Sequence, residues 1–140
     1  MDLPAPPPHA PADAARLCDM IMGFRVTQML HVAATLNLPG HLRDAPQSAD
    51  DVAARVGADS TSRHRLMRAL TSLGILAETG DGRFGVTALG RLLAPDVPNS
   101  LAGLAILYGE EWLWMAYGRM LHKVIATKSP LSLIEAQPLS

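Results

Sequence analysis

Gly80-Asp81-Gly82-Arg83-Phe84-Gly85 spells G-x-G-x-x-G, the spacing with which a nucleotide-binding loop wraps backbone amides around a pyrophosphate. That chemistry needs a buried strand before the glycines and a helix after them, since the helix N-terminus supplies the amides. Here the short segment Ile75 to Thr79 precedes the string, and a second strand-like segment, Arg83 to Thr87, follows it. No strand ending in an acid comes about 20 residues later. The context predicts a β-hairpin turn, not a phosphate cradle.

The other candidates for chemistry are sparser. Arg63, His64, Arg65 and Arg68 would face phosphates if their helix entered a DNA groove. Between Asp50 and Arg91, however, Arg55, Arg63, Arg65, Arg68, Arg83 and Arg91 meet Asp50, Asp51, Asp59, Glu78 and Asp81, a balance of only +1. Affinity for DNA rests largely on neutralised phosphates, so such a unit is a poor reader. Glu110 and Glu111 are neighbours, which on a helix point about 100° apart and share no proton site. The five histidines show no pair at helical or finger spacing, Cys18 has no second cysteine, and no serine sits in a nucleophile motif. Met20, Met22, Met29, Met115 and Met120 could line an adaptable pocket for a flat organic ligand, although methionine more commonly fills cores. No catalytic residue, cofactor-binding residue or metal ligand is assigned.

These groups must be positioned by elements that the sequence marks clearly. Prolines 4, 6, 7, 8 and 11 predict a disordered tail over 1–12. Residues 14–38 predict one helix with two apolar stripes: Leu17, Met20, Ile21 and Phe24 on one, Cys18, Met22, Val26, Met29, Ala33 and Leu36 on the other. Pro39-Gly40 should end it. Ser48 opens a short helix closed by Gly57. Ser60-Thr61-Ser62 caps a second helix that turns Leu66, Met67, Leu70 and Leu73 inward, and Gly74 closes it. Helix, turn, helix, hairpin is the order of a winged helix. A long helix then runs from Ser100 to about Thr127, with Leu113, Tyr117, Met120, Leu121 and Val124 as its core face. Residues 128–140 carry no pattern, and 13–127 form the one domain.

Composition fits that plan. The 140 residues are 49% apolar and 18% charged with net charge -1, so a core can form and nothing draws the chain to nucleic acid or anionic lipid. No run is long and apolar enough to span a bilayer, and the acidic, Pro-rich start is no signal peptide; a cytoplasmic protein without membrane association is expected. Both long helices are apolar on more than one side, more than a domain of about 115 residues can cover. A second copy is the simplest cover, through an interface on the order of 2,000 Å². Leu17, Met20, Ile21, Phe24, Trp112 and Met115 are the expected interface residues.

Several segments in fixed order resemble one family. These are Ala34-Thr35-Leu36-Asn37-Leu38-Pro39-Gly40-His41-Leu42, Ser48-Ala49-Asp50-Asp51-Val52-Ala53, Arg65-Leu66-Met67-Arg68-Ala69-Leu70 followed by Gly74, Val86-Thr87-Ala88-Leu89-Gly90, and Pro98-Asn99-Ser100-Leu101. Together they look like the N-terminal dimerisation domain of S-adenosylmethionine-dependent small-molecule O-methyltransferases of plant phenolic and bacterial polyketide or carotenoid pathways. The resemblance implies a mainly α, winged-helix-like domain with one hairpin, interlocked with its twin so that helices of one subunit help close the substrate pocket of the other. Met22 and Met29 would then belong to the substrate lid. It also lowers the expectation of DNA reading, the alternative being a winged-helix transcription regulator that binds DNA as a homodimer. Thr127-Lys128-Ser129-Pro130-Leu131-Ser132 departs from the T-G-x-P-A-F-like segment that leads into the family's cofactor-binding domain. The expectation is therefore a dimerisation and substrate-lid module, truncated or half of a split enzyme. It would bind no S-adenosylmethionine alone, and would meet a small aromatic substrate only when assembled with a separate catalytic methyltransferase subunit.

Overall fold

The computed structural model describes residues 8, 10–57 and 59–125. Most of the 1–12 tail and all of 126–140 lie outside the described residues. Helix α1 (Pro11–Ile21) begins at Pro11, whose missing N–H is no loss at a first helical position. The Asp13 carboxylate accepts the Ala10 N–H at 2.9 Å. The single helix expected over 14–38 is two: a turn at Met22 separates α1 from α2 (Gly23–Thr35). Gly23, the poorest helix former in the run apart from proline, stands at that joint. Pro39-Gly40 does not terminate anything. Asn37 takes a left-handed conformation (φ 49°) that ends the preceding helix, and the one-turn α3 (Leu38–His41) restarts with Pro39 near its N-terminus.

Helix α4 (Ala49–Val56) is bounded as the sequence predicts. Ser48 Oγ accepts the Asp51 N–H at 3.1 Å, and Gly57 closes the helix at φ 68°. In α5 (Ser60–Ser72) the cap is Asp59, one residue before the three hydroxyl residues, and it accepts the Ser62 N–H at 3.0 Å. That backbone N–H is the main cause holding the Asp59 carboxyl below the usual carboxylate range. Its stabilisation is complete above the unfolded-state pKa of an aspartate and disappears as pH falls through the lowered native value. Asp59→Ala is thus expected to lower the thermal midpoint at neutral pH, with the gap to the parent closing in acid; melting curves across pH check this.

Strands β1 (Leu76–Glu78) and β2 (Phe84–Val86) pair antiparallel with Leu76 opposite Val86 and Glu78 opposite Phe84. Gln47 adds an isolated bridge, exchanging both backbone hydrogen bonds with Phe84 at 2.8 and 2.9 Å. No residue pattern around Gln47 marks this third, single-residue rung. Phe84, Leu42, Met67, Leu70, Leu76 and Val52 are almost wholly buried and form the centre of the core, to which α2 contributes Ala33. The Arg43 guanidinium clasps the Asp96 carboxylate with two hydrogen bonds, tying the segment after α3 to the loop after α6 (Ala88–Arg91).

The long helix expected from Ser100 is broken twice, into α7 (Ala102–Gly109), α8 (Glu111–Gly118) and α9 (Met120–Ile125). Glu110 is extended at the first break and Arg119 leaves helical geometry at the second. The proposed core face is corrected with it: Tyr117, Met120, Leu121 and Val124 are all exposed, because nothing in the described chain lies over them.

Candidate functional site

The G-x-G-x-x-G string forms the hairpin turn. Thr79 N–H donates to Arg83 O at 2.7 Å, Gly82 N–H donates to Thr79 O at 3.0 Å, and Gly82 sits at φ 77°. A strand follows it, so these residues do not fit a nucleotide or S-adenosylmethionine. Among the described residues no group of three or more His, Cys, Asp or Glu could hold a metal. The arginines of α5 do not form one face: Arg65 and Arg68 are exposed, Arg63 is half-buried, and the His64 ring meets Phe84 edge-on with centroids 6.2 Å apart. No described helix is long and apolar enough to cross a membrane.

What remains is apolar surface. Eighteen large apolar side chains are exposed among the described residues, and all but Leu89 lie on α1, the start of α2, or the stretch from Leu101 to Ile125. Leu17, Met20, Ile21 and Phe24 are 51–68% exposed; Trp112 and Met115 are 60% and 50% exposed. Met22 is exposed at the α1–α2 joint, whereas Met29 packs half-buried against the core. Leu113, Ala116, Tyr117, Met120, Lys123 and Val124 line an open groove of about 450 Å³. Phe24, Thr27, Tyr108, Trp114, Tyr117 and Gly118 line a second recess of about 350 Å³.

These surfaces are held in place by the way α7 ends. A helix C-terminus leaves four carbonyls without intrahelical partners. Here each is met: His31 Nδ1–H donates to Ile106 O at 2.9 Å, Glu110 N–H to Leu107 O at 3.2 Å, Trp114 Nε1–H to Tyr108 O at 2.5 Å, and Gln28 Nε2–H to Gly109 O at 3.0 Å. Since a carbonyl only accepts, His31 must carry its proton on Nδ1. A side chain at Gly109 would occupy the space of the His31 ring, so α2 and α7 can approach this closely only with glycine there. Phe24 completes the joint, meeting Trp114 edge-on with centroids 5.9 Å apart. The direction of α8, and with it the exposed Trp112 and Met115, is therefore set by α2.

Comparison with known proteins agrees with this architecture. Residues 18–96 match the O-methyltransferase dimerisation domain. The chain is 40% identical over 108 residues to the phenazine O-methyltransferase PhzM of Lysobacter antibioticus, covering 77% of this chain and 31% of that protein. It is 31% identical over 137 residues to the 8-amino-8-demethylriboflavin N,N-dimethyltransferase of Streptomyces davaonensis, covering 97% of this chain and 40% of that one. The crystal structure of LaPhzM superposes with a TM-score of 0.79 at 36% identity, covering 86% of this chain and 36% of the other. That of the riboflavin-type dimethyltransferase RosA gives 0.79 at 29%, covering 94% and 38%. The chain thus spans about a third of the length of the relatives it matches, in their N-terminal region. These matches lend no support to the DNA-binding alternative. The 140 residues belong to the O-methyltransferase dimerisation-domain family, as a mainly helical member with one two-stranded sheet.

Proposed function

We propose that this chain works as the dimerisation and substrate-lid module of a small-molecule methyltransferase. Two copies clasp through Leu17, Met20 and Ile21 of α1, Phe24 at the start of α2, and Trp112 and Met115 of α8. The observation that carries this reading is the segregation of exposed apolar side chains onto α1, the start of α2 and α7–α9, while the α4–α5–hairpin unit buries its own. Contiguous apolar surface of that kind is the mark of an obligate interface. In this scheme Met22, at the α1–α2 joint, and Met29, on α2, belong to the substrate lid. Methyl transfer from S-adenosylmethionine is the work of a catalytic methyltransferase domain, the module's second partner, and a small aromatic molecule is the substrate of the assembled enzyme, as the phenazine and riboflavin names of its relatives suggest.

Amide hydrogen exchange at low and high protein concentration tests the clasp. Exchange in α1 and α7–α9 is expected to slow as concentration rises, with α4, α5 and the hairpin unchanged. The same exchange pattern at both concentrations would contradict it.

A further inference from the structure

Seven methionines occur among the 140 residues, and six of them lie in the described part of the chain. Met67 is buried at the centre of the core, and Met29 packs half-buried against it. The other four are exposed: Met20 on α1 (68%), Met22 at the α1–α2 joint (42%), Met115 on α8 (50%) and Met120 at the start of α9 (51%). They stand among the exposed leucines, valines and aromatic rings of those helices, while the α4–α5–hairpin unit exposes no methionine. Burying a methionine costs more rotamer freedom than burying a leucine of nearly the same volume. What the thioether has and leucine lacks is an oxidisable sulfur.

We infer that the clasp is a peroxide-sensitive switch, set by oxidation of Met20 and Met115 to methionine sulfoxide. The inference rests on the two-copy reading above and adds its regulation. The thioether sulfur attacks the terminal oxygen of a hydroperoxide, so that an S–O bond forms as the O–O bond breaks and the sulfur loses two electrons. The proton of the transferred oxygen passes to the departing one, which leaves as an alcohol or, from hydrogen peroxide, as water. In the clasped pair both sulfurs are covered, so the reaction takes the separated copy, where they are open to solvent. The sulfoxide oxygen is a strong acceptor, and burying it against apolar side chains strips its water without supplying a donor, so the oxidised copy does not pair again. Met67 is out of reach in the core, so that copy stays folded. Methionine sulfoxide reductases, one for each sulfoxide epimer, restore it.

The test uses the chain with Cys18→Ser, which removes its one thiol as a competing target. Hydrogen peroxide is added to dilute protein, peptide mass spectrometry locates the sulfoxides, and sedimentation reads the dissociation constant. Sulfoxide is expected at Met20 and Met115 and not at Met67. The dissociation constant should rise at least about tenfold with far-ultraviolet dichroism retained, and pairing should recover on treatment with both reductases. A second variant, Met20→Leu with Met115→Leu, keeps the side-chain volume and removes both sulfurs. Measured against its own untreated form, it should lose less than about threefold. A parent oxidised at Met20 and Met115 that pairs as before overturns the switch and leaves the clasp standing. Equal weakening of the leucine variant overturns it too, since the sensitive group then lies elsewhere. An untreated chain that is already single at every concentration removes the clasp, and the switch with it.

Discussion

Replacing Trp112 and Met115 together by Gln should weaken self-association about a thousandfold while leaving helix content unchanged. Both side chains stand on α8 with half or more of their surface in solvent, so the folded single chain gains little from them. In the clasped pair they become buried anchors, and truncating one such anchor typically costs about 2 kcal/mol. Two of them give about 4 kcal/mol, or roughly three decades in the dissociation constant. The effect should appear as a shift from dimer to monomer mass by light scattering on an eluting column, with unaltered far-ultraviolet dichroism. An unchanged elution profile would mean that α8 meets its partner through another face. The groove lined by Leu113, Tyr117 and Val124 would then be the candidate.

Gly90→Ala should be among the most damaging single-methyl changes in the described chain. Gly90 lies in α6, where its N–H donates to Thr87 Oγ1 at 3.0 Å, and Thr87 Oγ1–H in turn donates to the Ile75 and Gly74 carbonyls at 2.9 and 2.6 Å. This brings the helix so near the chain entering β1 that a Cβ on Gly90 would overlap the Ile75 carbonyl oxygen and press on Val86. The Ile75 carbonyl is backbone and cannot swing aside as the end of a flexible side chain would. Relief requires α6 to lift off, losing the Thr87 bonds and loosening the packing around Ile75 and Leu93 in the core. Overpacking of about 1–3 kcal/mol plus about 1 kcal/mol for a lost hydrogen bond predicts a total of about 3 kcal/mol. Gly103→Ala, on a helix and in open space, should instead be neutral or stabilising by up to about 1 kcal/mol. Urea unfolding of the two variants compares them directly; equal midpoints would refute the close-approach account.

Much of the fold could be read from residue order because the signals were local. Ser48 and Gly57 bracket α4, and Gly80 and Gly82 sit in the turn between two strand segments, so cap and turn chemistry were enough. Ser60, Thr61 and Ser62 misled for the same reason, since any of them could cap α5, and the carboxylate before them does so. The breaks in α7–α9 were invisible because their support is distant. The carbonyls released at Gly109 and Ile106 are met by Gln28 and His31, some 80 residues earlier. A periodic pattern continued through the joint, so Leu113, Tyr117, Met120, Leu121 and Val124 read as one core face. Periodicity shows that a face is apolar; it does not show what covers it. The exposure of Leu17, Met20, Ile21, Phe24, Trp112 and Met115 was foreshadowed by helices apolar on two sides. The aromatic recess was not, because Phe24 lies 84 positions from Tyr108 and only the folded chain brings them to one cavity.

The claim beneath all of this is that α1 and α7–α9 are finished by a second copy of the chain. Sedimentation equilibrium of the purified 140-residue protein over a wide concentration range measures that most directly. The account predicts a single species of twice 14.9 kDa, dissociating only on strong dilution. A folded species that keeps the mass of one chain at the highest concentration reached would contradict it.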